Sequence, residues 1–460
     1  MTAKISPMNT TMKSTLCLLS ATLLLAACSE DDVAHISDRE SHPLIFRTSL
    51  PAISSRAQII TQDNLPHFCV TAFNPADPDL VTPAGLMNEY INQERIINDT
   101  GLELLTSENC LWPAPGKDGN LAFFAFYRAL NDGAELVNAT TLNGDDLAID
   151  YKLTGFRVAA DIADQQDFIT AYATGSMEKN LFAGITLDFE HKLSRVELQA
   201  WGANKSCDIE IAGVRIGGVG VEGTFDFRTV EGGGQWSDDL GKGIVEYIYR
   251  SGDQIVSLDR TDGSALTADE AVSIMGAKVG DDDNCAMLLP STYTGWDFVG
   301  DGKNENNQMY ISVLLRVVDA TPTDGKGLQQ YPYTHNIDGS DALDIPKVYL
   351  AVDQSTGKTV SCRLYKNDNG YFSDDTFTTP YTLTDDEEVK EFGWAALPVT
   401  GDWESGCIYT YTLDYTSGVG LHDPESPDAG KPIISDKVGV SVSVKEWQSK
   451  PSSGVVVPGS

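Results

Sequence analysis

Basic residues are scarce in this chain: 32 Lys and Arg stand against 67 Asp and Glu in 460 residues, a formal charge of −35. Phosphate binding requires clustered Lys and Arg that displace counterions, so nucleic acid is excluded as a partner. The charge suits a soluble, surface-exposed protein whose copies repel until a specific contact forms. Nowhere is there an apolar run of the ~20 residues that a membrane-spanning helix needs. Cysteines at metal or redox spacing are missing as well. Cys69, Cys110, Cys207, Cys285, Cys362 and Cys407 lie far apart, with no Cys-x-x-Cys and no Cys/His cluster. Their even number permits disulfides, and their wide spacing suits buried thiols equally well. There is no Gly-x-Ser-x-Gly and no His-Glu-x-x-His, and the six His are scattered.

The near-matches to catalytic motifs fail on context. Gly218-Val219-Gly220-Val221-Glu222-Gly223 spells a dinucleotide fingerprint, but Thr224-Phe225-Asp226-Phe227 follows where a helix N-terminus should hold the pyrophosphate. A Gly-rich β-turn fits better. Gly357-Lys358-Thr359 ends like a P-loop, yet Val352 occupies the place of its first Gly, so a hairpin turn is expected. Asp281-Asp282-Asp283-Asn284 lacks the alternate ligand spacing and loop Gly of a calcium site. Acid pairs are plentiful, but none stands out on an apolar strand end. The chain is therefore read as non-enzymatic, with no catalytic residue, cofactor or metal.

What is present begins with an export signal. Lys4 and Lys13 precede the apolar run Cys17 to Cys28, and no acid occurs before Glu30. A positive start, a short apolar stretch and small residues before a cut site describe a secretory signal. Leu25-Ala26-Ala27-Cys28 resembles the lipobox of bacterial lipoproteins, which implies cleavage between Ala27 and Cys28 and a diacylglycerol on the Cys28 thiol. The alternative is an ordinary signal peptide with a chance Cys. Ser29-Glu30-Asp31-Asp32 resembles the acidic signal that sends lipoproteins to the outer face of the outer membrane, and would otherwise be a solvated linker.

Beyond the signal the pattern is all-β. The 41 Gly and 20 Pro spread along the chain mark many turns. Pro43 to Leu50 reads as a strand with Leu44, Phe46 and Thr48 on one face, isolated between an acidic tether and Ser54-Ser55-Arg56-Ala57. Phe68, Val70 and Ala72 alternate in the next strand, and Leu121 to Tyr127 is apolar on both faces, as a central buried strand should be. Asn98-Asp99-Thr100-Gly101 between two apolar segments reads as a hairpin turn. Period-2 runs recur at Ile185/Leu187/Phe189, Val196/Leu198/Ala200, Tyr409/Tyr411/Leu413 and Val438/Val440/Val442/Val444. Thr267-Ala268-Asp269-Glu270 has capping-box form before Ala271, Val272, Ile274 and Met275, which predicts one short helix. His191, between Phe189 and Leu193, is expected to pack at a strand end. Strands dominate, so β-sandwiches are the expected architecture. The Gly-rich break Glu231-Gly232-Gly233-Gly234 suggests a boundary after Trp236. The expected order is residues 1–27 signal, 28–56 tether and leader strand, 57–236 N-terminal sandwich, 237–447 C-terminal sandwich and 448–460 tail.

Several segments together resemble the fimbrillins, the Mfa-like type V pilus subunits of Bacteroidetes. They are Ser55-Arg56-Ala57 ahead of a strand, Leu111-Trp112-Pro113 before the Phe-rich strand, and Ile185 to Leu198 with its Phe-x-His at Phe189 and His191. Met287-Leu288-Leu289-Pro290, Tyr409 to Leu413 and Val442 to Trp447 echo later family segments in the same order. The resemblance implies two transthyretin-like β-sandwiches and a surface lipoprotein of the outer membrane that passes into a fimbrium. It further implies cleavage between Arg56 and Ala57 by an Arg-directed protease, with Arg47, inside the candidate strand, the poorer alternative. Release of the strand bearing Leu44 and Phe46 would open a groove for a strand of another pilus subunit, the same or related. The tail, with Val455, Val456 and Val457 behind a polar spacer, is the candidate donor, and a frayed terminus is its bland alternative. Partners would then be pilus subunits, the membrane through the lipid, and host or bacterial surface ligands. The rival reading is a glycan-binding surface lipoprotein of a polysaccharide-uptake system, using exposed Trp among Trp112, Trp201, Trp236, Trp296, Trp394, Trp403 and Trp447 as stacking platforms. A third is a secreted hydrolase with an unrecognised carboxylate pair.

Overall fold

The structure is a computed structural model that describes residues 42–50, 65, 67–75, 87–97, 104–112, 120–127, 134–143, 146–202, 207–227, 233–258, 267–278, 282–319, 329–332, 345–434 and 437–446. Those residues are nearly all β. Their helical pieces, Ile162–Asp164, Met177–Asn180 and Ala268–Glu270, span three or four residues each. Among the described residues no helix is long and apolar enough to cross a membrane.

The N-terminal strands are β1 (Pro43–Ser49), β2 (His67–Pro75), β3 (Met87–Ile97), β4 (Leu104–Leu111), β5 (Asn120–Tyr127), β6 (Glu135–Asn143), β7 (Asp146–Arg157), β8 (Ile169–Ser176), β9 (Ile185–Asp188) and β10 (Glu190–His191). One sheet has the order β4-β1-β9, and the sheet packed on it the order β10-β8-β5-β2-β3. The double apolar face of β5 has a direct cause. Leu121, Phe123 and Ala125 point into the core shared with β1, and Ala122, Phe124 and Phe126 into a second core with Tyr151 and Leu153 of β7. A strand between two cores can carry no polar residue on either face.

Further along, β11 (Ser194–Trp201) and β12 (Cys207–Asp226) open the remaining sheets. β11 pairs in parallel with Cys407–Asp414, which pairs antiparallel with the edge strand Gly439–Glu446. β12 joins β7 on one side and Tyr310–Asp319 on the other, and the sheet continues through Glu387–Pro398 and Lys347–Asp353. Val196, Leu198 and Ala200 of β11 share a core with Ile209, Ile211, Val214 and Ile216 of β12. Phe189 is the last residue of the first core, and the next buried apolar residue, Leu193, belongs to the second.

Four local expectations meet different outcomes. The fingerprint-like glycines lie inside β12, where the register slips between Gly217 and Val219 and Gly218 takes φ +70°. A Cβ at Gly218 would stand 2.1 Å from the Gln308 carbonyl oxygen, so the glycines serve a bulge and a close backbone approach. Gly357 does sit in a hairpin turn, between Lys347–Asp353 and Thr359–Asn367. The helix expected from Thr267 is cut short. Glu270 accepts from the Thr267 N–H at 3.0 Å, but Val272–Ser273 then pairs with β11 and Ile274 and Met275 are buried. Ladder bonds and burial outweigh a local cap. The Asn98-to-Gly101 turn, itself outside the described residues, joins β3 and β4, which belong to different sheets. Among the described residues β3 pairs with β2 and β4 with β1.

Candidate assembly site

β1 is the middle strand of its sheet. It pairs antiparallel with β4 (Phe46 opposite Leu105, Arg47 opposite Leu104) and parallel with β9 (Phe46 opposite Ile185, Thr48 opposite Leu187). Backbone bonds continue the ladder at both ends, from Trp112 N to His42 O at 2.8 Å and from Phe189 N to Ser49 O at 2.9 Å. Leu44, Phe46 and Thr48 are buried, while Pro43, Arg47 and Ser49 are exposed, the alternation expected of a strand with one core face. Phe46 meets Phe68 and Phe123 edge-to-face, with centroids 6.3 and 5.7 Å away. Leu121, Leu187 and Phe189 complete the same core. Without β1, β4 and β9 would each present an unpaired edge above an apolar trough.

Gly184 shows how closely β1 is seated. It enters β9 with φ +76°, and a Cβ there would stand 3.1 Å from the Ile45 carbonyl oxygen. Gly184→Val is therefore expected to cost about 2 kcal/mol or more by backbone strain and contact with β1. Urea denaturation should show a smaller penalty in a chain that lacks β1. Equal penalties in both chains would mean that strain alone acts.

The Phe-x-His segment anchors the far side of the trough. Phe189 packs on Phe68 at 5.4 Å, and His191 Nδ1 lies 2.7 Å from Asp167 Oδ2 with both side chains buried. The adjoining residues tie this end to the rest of the fold. The Lys192 carbonyl accepts from Trp236 Nε1 at 2.6 Å and Ser405 Oγ at 3.2 Å, and Gly406 N donates to Leu193 O at 3.0 Å.

A second candidate element is the edge strand Gly439–Glu446, exposed along its whole length. Val440, Val442 and Val444 show 40, 45 and 57% of their surface to solvent on one face, the same alternation that β1 buries. Ala27, Cys28, Arg56, Ala57 and the tail with Val455, Val456 and Val457 lie outside the described residues. Cys69, Cys285 and Cys407 are thiols and not half-cystines.

Composition and alternation made Leu44 and Phe46 visible in the sequence, but not Ile185 and Leu187 as their parallel neighbours. No local signal marks a parallel partner some 140 residues away. Among the described residues, which do not include Trp447, no Trp offers the exposed stacking platform of the glycan-uptake reading. Trp112, Trp236, Trp296, Trp394 and Trp403 are buried, and Trp201 is half-buried.

No curated protein matches the sequence. A fimbrial protein of Bacteroides vulgatus superposes with TM-score 0.50 at 10% identity, over 88% of this chain and 100% of that one. A putative cell adhesion protein of Bacteroides ovatus aligns with TM-score 0.36 at 13% identity, over 90% of this chain and 100% of that one. The first of these likenesses supports the β-sandwich fold. The family model described as fimbrillin-like matches residues 80–338, more than half of the sequence, and the chain belongs to that fimbrillin-like family.

Proposed function

We propose that the protein is a structural or adhesive subunit of a cell-surface pilus, assembled by exchange of β1 for a strand of a neighbouring subunit. The carrying observation is the seat of β1: bonded on both sides, buried through Leu44, Phe46 and Thr48, and followed by the segment that contains Arg56. A strand held this way gains ladder bonds and pocketed side chains, the two sources of affinity in strand addition. An open edge is otherwise an aggregation hazard, so keeping the trough filled until export is complete has a physical purpose.

In this reading the precursor is anchored through lipid on Cys28 after cleavage behind Ala27, and cutting between Arg56 and Ala57 frees the leader. Arg47 is a poor substrate by comparison, because its backbone is paired to Leu104 and Thr186 and a protease binds extended, unpaired chain. The mature subunit would keep residues 57–236 and 237–447 and the tail 448–460, and would partner with subunits of its own or a related kind.

The test is N-terminal sequencing of surface-assembled protein, with Arg56→Ala alongside. The expected sequence is Ala57-Gln58-Ile59, and Arg56→Ala should hold the chain as a fatty-acid-labelled, unpolymerised precursor. Cys28→Ala should remove the label. Polymers that still begin at Cys28, or label that persists in Cys28→Ala, would overturn the corresponding step.

A further inference from the structure

Away from the assembly site, one cavity of about 180 Å³ opens on the large sheet beneath the turn that begins at Asp423. Its lining is amphipathic. Ile345, Val348 and Trp394 form a buried apolar wall, and Arg215, Arg363 and Glu425 present polar groups to the same space. The site is built rather than incidental. The Arg215 guanidinium stacks 4.2 Å above the Trp394 ring, donates to Glu246 at 2.7 Å and lies 3.4 Å from Asp423. Asp423, itself buried, also accepts from the Ser312 hydroxyl and from Glu425 N. Burial alone would lower the Arg215 pKa, but Asp423 and Glu246 more than reverse it, so the cation is held.

The charges decide what would fit. Each cation of the lining already faces a carboxylate: Arg215 faces Glu246 and Asp423, Arg363 lies 3.9 Å from Glu246, and Lys347 lies 2.9 Å from Glu391. A charged ligand would compete with the carboxylates of these pairs. A neutral molecule rich in hydroxyls would not, since it can accept from the guanidiniums, donate to carboxylates and lay C–H groups on the apolar wall. The volume suits one ring. We infer that this cavity binds a single neutral hexose-class residue at the end of a glycan, with Arg363 and Glu425 contacting its hydroxyls.

The inference extends the adhesive side of the proposed function and rests on it only for its purpose. Binding is read on isolated full-length protein, whereas the polymerisation reading is tested on assembled pili, so either can fail alone. Saturation-transfer NMR would use methyl glycosides of neutral hexoses and N-acetylhexosamines, with methyl glucuronide as the charged control. At least one neutral glycoside should bind, and Glu425→Ala and Arg363→Ala should each weaken it tenfold or more. Glu425 is exposed and Arg363 half-buried, so both variants should keep the wild-type melting temperature. No transfer to any neutral glycoside, affinities unchanged in both variants, or preference for the glucuronide would overturn the assignment.

Discussion

A chain that begins at Ala57 is expected to be less stable than one that retains β1 by about 5 kcal/mol or more. Leu44 and Phe46 are each fully buried, worth ~2–3 kcal/mol apiece in transfer alone, and the trough left behind cannot collapse between two sheets. Ladder bonds on both sides add about 1 kcal/mol each. The loss is comparable with the whole stability of an ordinary domain, ~5–15 kcal/mol, so a subunit relieved of β1 should need a replacement strand. Urea denaturation followed by circular dichroism would measure it. A synthetic peptide covering residues 43–50 should restore the lost stability, and the same peptide with Phe46→Asp should not. Equal stability with and without β1 would remove the thermodynamic basis of strand exchange.

Deletion of residues 448–460 is expected to leave a folded monomer that forms no ladder of oligomers. Val455-Val456-Val457 has strong strand preference, and the polar run from Gln448 to Gly454 supplies reach. The edge strand before it makes a sharper comparison. Val442→Asp touches a side chain that is 45% exposed, so the monomer should lose no more than ~0.5 kcal/mol. If the donor is the tail, Val442→Asp should polymerise normally. If the truncation polymerises unchanged and Val442→Asp does not, the joining strand is Gly439–Glu446. Native gels of protease-treated protein, with electron microscopy of the products, distinguish these outcomes.

The two elements differ in how far they were legible. The exposed valines announce themselves by period, yet nothing in Val438 to Val444 says that the strand ends a sheet with neither face covered. β5 was legible from Leu121 to Tyr127, because seven residues apolar on both faces leave no other place than between two cores. The capping box at Thr267 misled in extent, since a local hydrogen bond cannot anticipate that Val272 will find β11.

From the sequence alone came whatever depends on period, composition and local motif: strands instead of helices, the mismatch with catalytic fingerprints, the apolar faces of β1 and β5, and the family. Each rests on interactions within a few residues of chain, where side-chain direction follows directly from backbone geometry. Tertiary structure decided the remainder: that β1 lies between β4 and β9, that Gly184 must stay bare against Ile45, and that Arg215, Trp394 and Asp423 meet around one cavity. Those arrangements join residues from about 30 to more than 200 positions apart, and in a β fold pairing at such separations is set by which apolar faces can be covered together, a property that no local window contains.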